Sequence, residues 1–139
     1  MKIALISCTK LKQDYSCKAE EMYMKSTLFK KATSYIKQQK YNRWFILSAK
    51  YGLLIPDEII EPYNKTLNNM KAQEIKSWAE NVFLELNKYK IKQIDFYVGE
   101  KYRKYLIPIL IKHNISYSIP LKGLGIGQQL QFYTKEVVN

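Results

Sequence analysis

The fold is decided by residues 44–54, which read WFILSAKYGLL. The first four residues form a continuous apolar run, which is typical of a strand that is covered on both faces of a sheet. The run leads into Ser48, Lys50 and Tyr51, so this strand delivers a hydroxyl, an amine and a phenol to one edge of the sheet. Gly52 then lets the backbone turn away without steric cost. In open α/β folds, ligands bind at this edge, beyond the carboxyl ends of the strands.

Together with this strand, at residues 44–48, apolar runs predict three others, at residues 3–7, 94–98 and 115–119. Apolar residues at helical spacing predict helices between and after them. These helices begin near Ser26 or Thr27, near Asn68 or Asn69, around Tyr102 with a kink at Pro108, and at Ile126, the last running to Val137. Strands that alternate with helices imply right-handed parallel crossovers. We therefore expect an α/β fold, a three-layer sandwich with a central mostly parallel four-stranded sheet.

Residues 53–67 show no clear periodicity and contain Pro56 and Pro62. We interpret this segment as a functional loop near the edge of the sheet.

Length and composition predict a single α/β domain over residues 1–139, with 47% hydrophobic residues. No apolar run approaches the roughly 20 residues that span a bilayer, so we expect no membrane partner. The first residues are too short an apolar run for a signal peptide and fit the first strand better. With two cysteines, a reduced cytoplasmic location is expected. The oligomeric state stays open.

The chain is strongly basic, with a formal net charge of +11 from 23 Lys and Arg against 12 Asp and Glu. Such an excess favours polyanionic partners, namely nucleic acid, nucleotides or an anionic surface. The alternative is a lysine-rich solvated surface, because only Arg43 and Arg103 are arginines.

A polar cluster follows each predicted strand, at residues 7–12, 48–52, 99–103 and 120–127. If the strands are parallel, these turns converge at one edge of the sheet and form a site. The residues that we expect to contact substrate there are Cys8, Thr9, Lys12, Ser48, Tyr51, Tyr63, Gly123, Gly125 and Gly127.

Three glycines, Gly123, Gly125 and Gly127, precede the last helix. Glycines at this spacing let backbone N–H groups approach an anion, and the helix N-terminus adds partial positive charge. They also suit a tight turn that binds nothing. Tyr51 and Tyr63 are candidates for stacking on a base, or alternatively core residues with a hydrated hydroxyl.

Lys50, Glu100 and Asp57 are the candidate catalytic residues. An amine at the end of a strand can bind phosphate or assist a leaving group, and a carboxylate can serve in acid–base catalysis. Glu58 and Glu61 are further carboxylates in the same loop as Asp57. Cys8 is placed where a nucleophile would be, but we favour a packing role beneath the site. The residues predict no metal and no cofactor, since two cysteines and one histidine do not form a zinc set.

Several motifs together resemble those of an uncharacterised family of small bacterial and phage proteins, loosely described as YaaA-like after the peroxide-stress protein. They are Cys8-x-x-x-Lys12, the signature Ser48-Ala49-Lys50-Tyr51-Gly52-Leu53, the loop Pro56-Asp57-Glu58…Glu61-Pro62-Tyr63, and Gly125-Ile126-Gly127. The resemblance covers nearly the whole chain. It implies an α/β sandwich and a relation to nucleic-acid base metabolism, but no specific reaction.

Two functions are favoured by these residues, ahead of a third, a structural or interaction protein that associates through apolar patches. The first is an enzyme that acts on a nucleobase, nucleoside or nucleotide. Its reaction would be cleavage of the N-glycosidic bond, as in a hydrolase or transferase of the glycosidase type. Glu100 or Asp57 would steady the sugar cation, while Lys50 and amides near Gly125 would assist the departing base. The second is a non-catalytic nucleotide or nucleic-acid binding module, for example a phage factor that sequesters a nucleotide or blocks a host protein.

Overall fold

The computed structural model describes residues 1–137, whose strands form a five-stranded sheet and a two-stranded ribbon. The strands are β1 Lys2–Ser7, β2 Cys17–Lys18, β3 Arg43–Ser48, β4 Gly52–Leu54, β5 Ile59–Ile60, β6 Gln93–Tyr97 and β7 Ser116–Ser118. The large sheet has the order β4-β3-β1-β6-β7, in which β4 alone is antiparallel to its neighbour. In the ribbon, β2 pairs with β5.

Helices cover both faces of the large sheet. They are α1 Ala19–Met22, α2 Thr27–Gln38, α3 Ala72–Leu86, α4 Glu100–Arg103, α5 Leu106–Lys112 and α6 Ile126–Glu136. Side chains alternate between the two faces along a strand. On one face of the sheet, Ile3 and Leu5 of β1 pack against the buried residues of α3 and α5. Ala4 and Ile6 pack on the opposite face with residues of α2 and α6. The predicted three-layer α/β architecture is therefore confirmed.

The sheet has one strand more than the predicted four. The missed strand is β4, which begins at Gly52, where φ is +74°. That left-handed conformation favours glycine and lets the chain fold back against β3. The rest of the segment that we predicted as a loop holds β5, and a short 3₁₀ turn, Leu67–Asn69, begins at its last residue.

The predicted helix starts differ in accuracy. Ser26 caps α2 as expected, since its hydroxyl accepts the amide hydrogen of Phe29 at 3.2 Å. The predicted cap of α3 at Asn68 or Asn69 is wrong, because these residues belong to the 3₁₀ turn and Lys71 occupies the cap position.

The helix expected around Pro108 is divided into α4 and α5 instead of kinked. Pro108 lies in the first turn of α5, where a missing amide hydrogen leaves no intrahelical bond unmade.

The strand order creates a crevice at one place on the sheet edge. From β1 the chain crosses to β3 on one side, and it later returns to β6 on the other side of β1. At such a switch point the connections leave in opposite directions, so space opens outside the carboxyl ends of β1 and β6. None of the helices in residues 1–137 has the length and apolar character needed to cross a membrane.

Candidate functional site

A cavity of about 390 Å³ opens at this switch point, and we call it the edge cavity. It extends from the carboxyl end of β1 across those of β6 and β7 to the first turn of α6. Its polar lining includes Ser7, Tyr97, Glu100, Arg103, Lys122 and Gln129. Each comes from a strand end or from the turn or helix that follows it, as the convergence of parallel strands predicts.

The charged groups of the edge cavity differ in how they are held. The half-buried Arg103 donates from Nη1 to the carbonyl oxygen of Val98 at 2.8 Å, which fixes one edge of its guanidinium. Glu100 and Lys122 are exposed, and within residues 1–137 neither forms an ion pair. Among residues 1–137, the cavity lining therefore holds one anchored cation, Arg103, together with a cation and a carboxylate that form no ion pair there.

The glycine-rich turn forms one wall of the cavity. Gly123 has φ of +87°, a left-handed conformation that favours glycine, and Gly125 is the residue before α6. The amide of Gly125 donates to Gln128 Oε1 at 2.9 Å, so this N–H already has a partner. Gly127 is exposed in the first turn of α6. The turn thus shapes the wall, and anion binding by the Gly125 amide would first require release of Gln128.

A cluster of hydroxyl groups and one thiol lies where the segments at the ends of β1, β3 and β6 meet. Cys8 Sγ lies 3.1 Å from the hydroxyl of Tyr102, and the hydroxyl of Tyr63 lies 2.7 Å from that of Tyr23. Ser48 Oγ donates to Tyr63 Oη at 2.8 Å. Burial, and then the neighbouring Cys8, raises the pKa of Tyr63 and of Tyr102 well above the usual value. These phenols are therefore neutral hydrogen-bonding groups that hold the strand ends together.

Ser48 fixes the turn that follows β3. Its hydroxyl accepts the amide hydrogens of Lys50 at 3.2 Å and Tyr51 at 3.0 Å, and its carbonyl accepts from Trp78 Nε1 at 2.9 Å. Ser48 is fully buried, so it shapes the turn and has no access to a ligand. Lys50 is exposed on that turn, with its amine 5.2 Å from the centroid of the Tyr51 ring.

Lys12 lies at the edge of the same cluster. Its amine is 4.6 Å from the centroid of the Tyr63 ring and donates to the carbonyl of Lys10 at 3.3 Å. Burial lowers the pKa of Lys12, and the nearby Cys8 opposes that shift. Thr9, the neighbouring candidate, donates from its hydroxyl to the carbonyl of Leu11 at 2.9 Å and so stabilises its own loop.

Comparison with known proteins places the chain in a family. Residues 3–135 match DUF6884, which is described as a family of unknown function. The chain belongs to DUF6884. A relative, "Uncharacterized protein YfjM" of Bacillus subtilis (strain 168), is 30% identical over 127 residues, which cover 86% of this chain and 80% of the relative. No solved structure matches the chain.

In this DUF6884 chain, Asp57 lies apart from the other candidate residues. It borders a groove with Arg43, Trp44 and Phe45, which open β3 at the amino edge of the sheet. The physical reason is that β4 runs antiparallel to β3 and carries the chain away from the carboxyl edge. Asp57 is accordingly not part of the edge cavity.

The two tyrosines expected to stack on a base are also placed differently in the DUF6884 structure. Tyr63 is buried, and Lys12 covers its ring. Tyr51 packs edge-on against Tyr63, and its hydroxyl donates to the carbonyl of Glu61 at 3.3 Å. Neither lines the edge cavity, whereas Tyr97, which sequence reasoning missed, does.

Sequence reasoning also missed a buried carboxylate network in this DUF6884 chain. Asp95 accepts hydrogen bonds from Tyr41 at 2.7 Å, Gln93 at 2.9 Å and Ser118 at 2.6 Å. Burial opposes ionisation of Asp95, but these bonds and the Lys2 amine at 3.7 Å keep its pKa below the usual value. A signal was present, since Asp95 interrupts an apolar strand and a buried acid needs partners.

Tyr97 connects that network to the edge cavity. Its hydroxyl lies 2.6 Å from the hydroxyl of Tyr41, and the residue is part of the cavity lining. Burial raises the pKa of Tyr97 to about 12. Among residues 1–137, no group of three or more His, Cys, Asp or Glu side chains is placed to hold a metal ion.

Proposed function

We propose that the edge cavity binds a nucleotide unit and that the protein cleaves the N-glycosidic bond of that unit. The observation that carries the proposal is the cavity at the switch point, with Glu100, Arg103 and Lys122 in its lining. A volume of about 390 Å³ is within the range of small-ligand sites, roughly 300–1,000 Å³.

The two cations of the cavity suit the anionic part of a nucleotide. Arg103 keeps free guanidinium donors after its bond to Val98, and a planar guanidinium fits phosphate oxygens bidentately. Lys122 adds a mobile second charge. Tyr97 belongs to the cavity lining, and we assign its aromatic ring to contact with the base.

Glu100 suits the chemical step. As the bond between the base nitrogen and the anomeric carbon breaks, positive charge develops on the sugar ring, and a carboxylate stabilises that charge. Water then bonds to the anomeric carbon and loses a proton to Glu100, and the departing base gains a proton from Lys122 or solvent. In this assignment Lys122 takes the role that sequence reasoning gave to Lys50, because Lys50 does not line the cavity.

Two further considerations support the proposal. The resemblance to YaaA-like proteins, carried by the signature at residues 48–53, implies a relation to nucleic-acid base metabolism. A net charge of +11 favours anionic substrates. The thiols of Cys8 and Cys17 are free, which suits the reduced cytoplasmic location that we propose.

The test is base release from nucleoside monophosphates and from oligonucleotides, detected by mass spectrometry. Glu100→Gln keeps the side-chain shape and removes the charge, so we expect the rate to fall at least about a hundredfold. Glu80→Gln, on the exposed face of α3, is the matched control and should leave the rate unchanged. A Glu100→Gln rate equal to that of the unchanged protein would reject the catalytic role.

One observation favours the alternative of a non-catalytic nucleotide-binding module. Among the described residues that line the edge cavity, Glu100 is the one carboxylate, and no histidine accompanies it. In that case nucleotide binding would depend on Arg103 and Lys122, and no free base would appear in the presence of the unchanged protein.

A further inference from the structure

The edge cavity does not account for all the cations along its edge of the sheet. Five lysines lie in the turns at this edge but outside the cavity lining: Lys10 and Lys12 after β1, Lys50 after β3, and Lys101 and Lys104 after β6. The three strands are neighbours in the order β3-β1-β6. With strands about 4.8 Å apart, these turns form a line about 10 Å long that leads away from the cavity.

The balance of charge in these turns is strongly positive. Residues 8–16, 49–51, 98–105 and 119–125 contain seven Lys or Arg and two carboxylates, Asp14 and Glu100. A mononucleotide bound in the cavity would have its phosphate matched by Arg103 and Lys122. The other five cations therefore have no partner in a mononucleotide, whereas successive phosphates of a polymer would match them.

We infer that the cavity holds one unit of a single-stranded polynucleotide, whose phosphodiester backbone runs along the carboxyl edge from β7 towards β3. This inference rests on the proposed function. The strand is unpaired because a base must leave its duplex before it can enter a cavity. Tyr15, which is 56% exposed in the segment after β1, offers a ring on which a neighbouring base stacks.

A uniformly basic surface would predict equal binding at the opposite edge, so that edge supplies the control. Lys40, Lys90 and Lys92 are exposed in the segments that lead into β3 and β6. The edge variant combines Lys10→Gln, Lys101→Gln and Lys104→Gln, and the control combines Lys40→Gln, Lys90→Gln and Lys92→Gln. Both remove the same charge from exposed positions.

The experiment measures binding of fluorescent DNA and RNA strands of one sequence over a range of salt concentrations. For the edge variant we expect the slope of log K against log salt to become shallower by about 2, since each phosphate contact contributes about 0.7. The control should keep the slope of the unchanged protein. Comparison of the DNA and RNA strands identifies the preferred sugar.

Three results would overturn the inference: equal loss of slope in both variants, strand binding no tighter than mononucleotide binding, or a duplex that competes as well as the single strand. These failures are distinct from failure of the proposed function. Base release from free nucleotide without strand binding would reject the polymer alone, and strand binding without release of a base by the unchanged protein would reject the reaction alone.

Discussion

The Asp95 network and the edge cavity are both polar, but their groups differ in what they contact. Asp95 is buried and bonded to Tyr41, Gln93 and Ser118. Glu100 is exposed and has no ion-pair partner in residues 1–137. A buried charge is tolerated when its hydrogen bonds are made, and it then stabilises one arrangement of the fold. A carboxylate without partners at a cavity is available to a ligand, so the comparison separates stability from function.

The comparison predicts its largest effect for Asp95→Ala. Removal of the buried carboxylate leaves three half-buried donors without this acceptor, so we expect the free energy of unfolding to fall by about 3 kcal/mol. Glu100→Ala should change it by less than about 0.5 kcal/mol. Urea denaturation of both variants measures the difference, and equal losses would remove the distinction between the two regions.

Tyr97→Phe tests the residue that the two regions share. The change removes the hydroxyl that contacts Tyr41 but keeps the aromatic ring, so we expect a loss of about 1 kcal/mol in stability. Nucleotide affinity should stay within twofold. Tyr117→Phe is the control, because Tyr117 is 38% exposed and the change keeps the packing of its ring on Phe96. If Tyr97→Phe instead lost nucleotide affinity and kept its stability, the hydroxyl of Tyr97 would belong to the ligand site and not to the stabilising network.

The smallest expected effect is a dependence of stability on acid pH. Since the pKa of Asp95 is lower in the folded chain than in the unfolded one, its contribution is complete above the unfolded value of about 3.9 and is lost as pH falls through the folded value. Burial raises the pKa of Asp95 and so offsets part of the lowering by its hydrogen bonds, which makes the dependence of stability on pH modest. Thermal unfolding of Asp95→Asn should lose this portion of the dependence, and an identical pH profile would exclude Asp95 as its source.

The sequence was most informative where burial was complete. β1, β3 and β6 are buried on both faces, so their apolar runs could be located within one residue. β4 follows a turn and has only three residues, so it is too short for the alternation of apolar and polar residues to be recognised. Asn68 and Asn69 are good helix caps by type, but the 3₁₀ turn that uses them depends on packing of Leu67.

In the candidate site too, some features could be predicted from the sequence and others depend on the packing of the folded chain. Convergence of strand ends follows from parallel pairing alone, which is why Glu100 and the glycine turn could be placed at one edge. The direction of the chain after Gly52 depends on β4, and without β4 the position of Asp57 could not be known. The roles of Tyr63 and Tyr97 depend on which ring is covered, and a single sequence with twelve tyrosines does not reveal that.

The division of the helix near Pro108 has a consequence for motion. α4 is four residues long and has no buried residue, whereas α5 is anchored by the buried Leu106 and Leu110. Local opening of α4 therefore costs little, and its amides should exchange with deuterium sooner than those of α5. Glu100 and Arg103 thus sit on a small segment that can adjust around a ligand while the core beneath it stays folded.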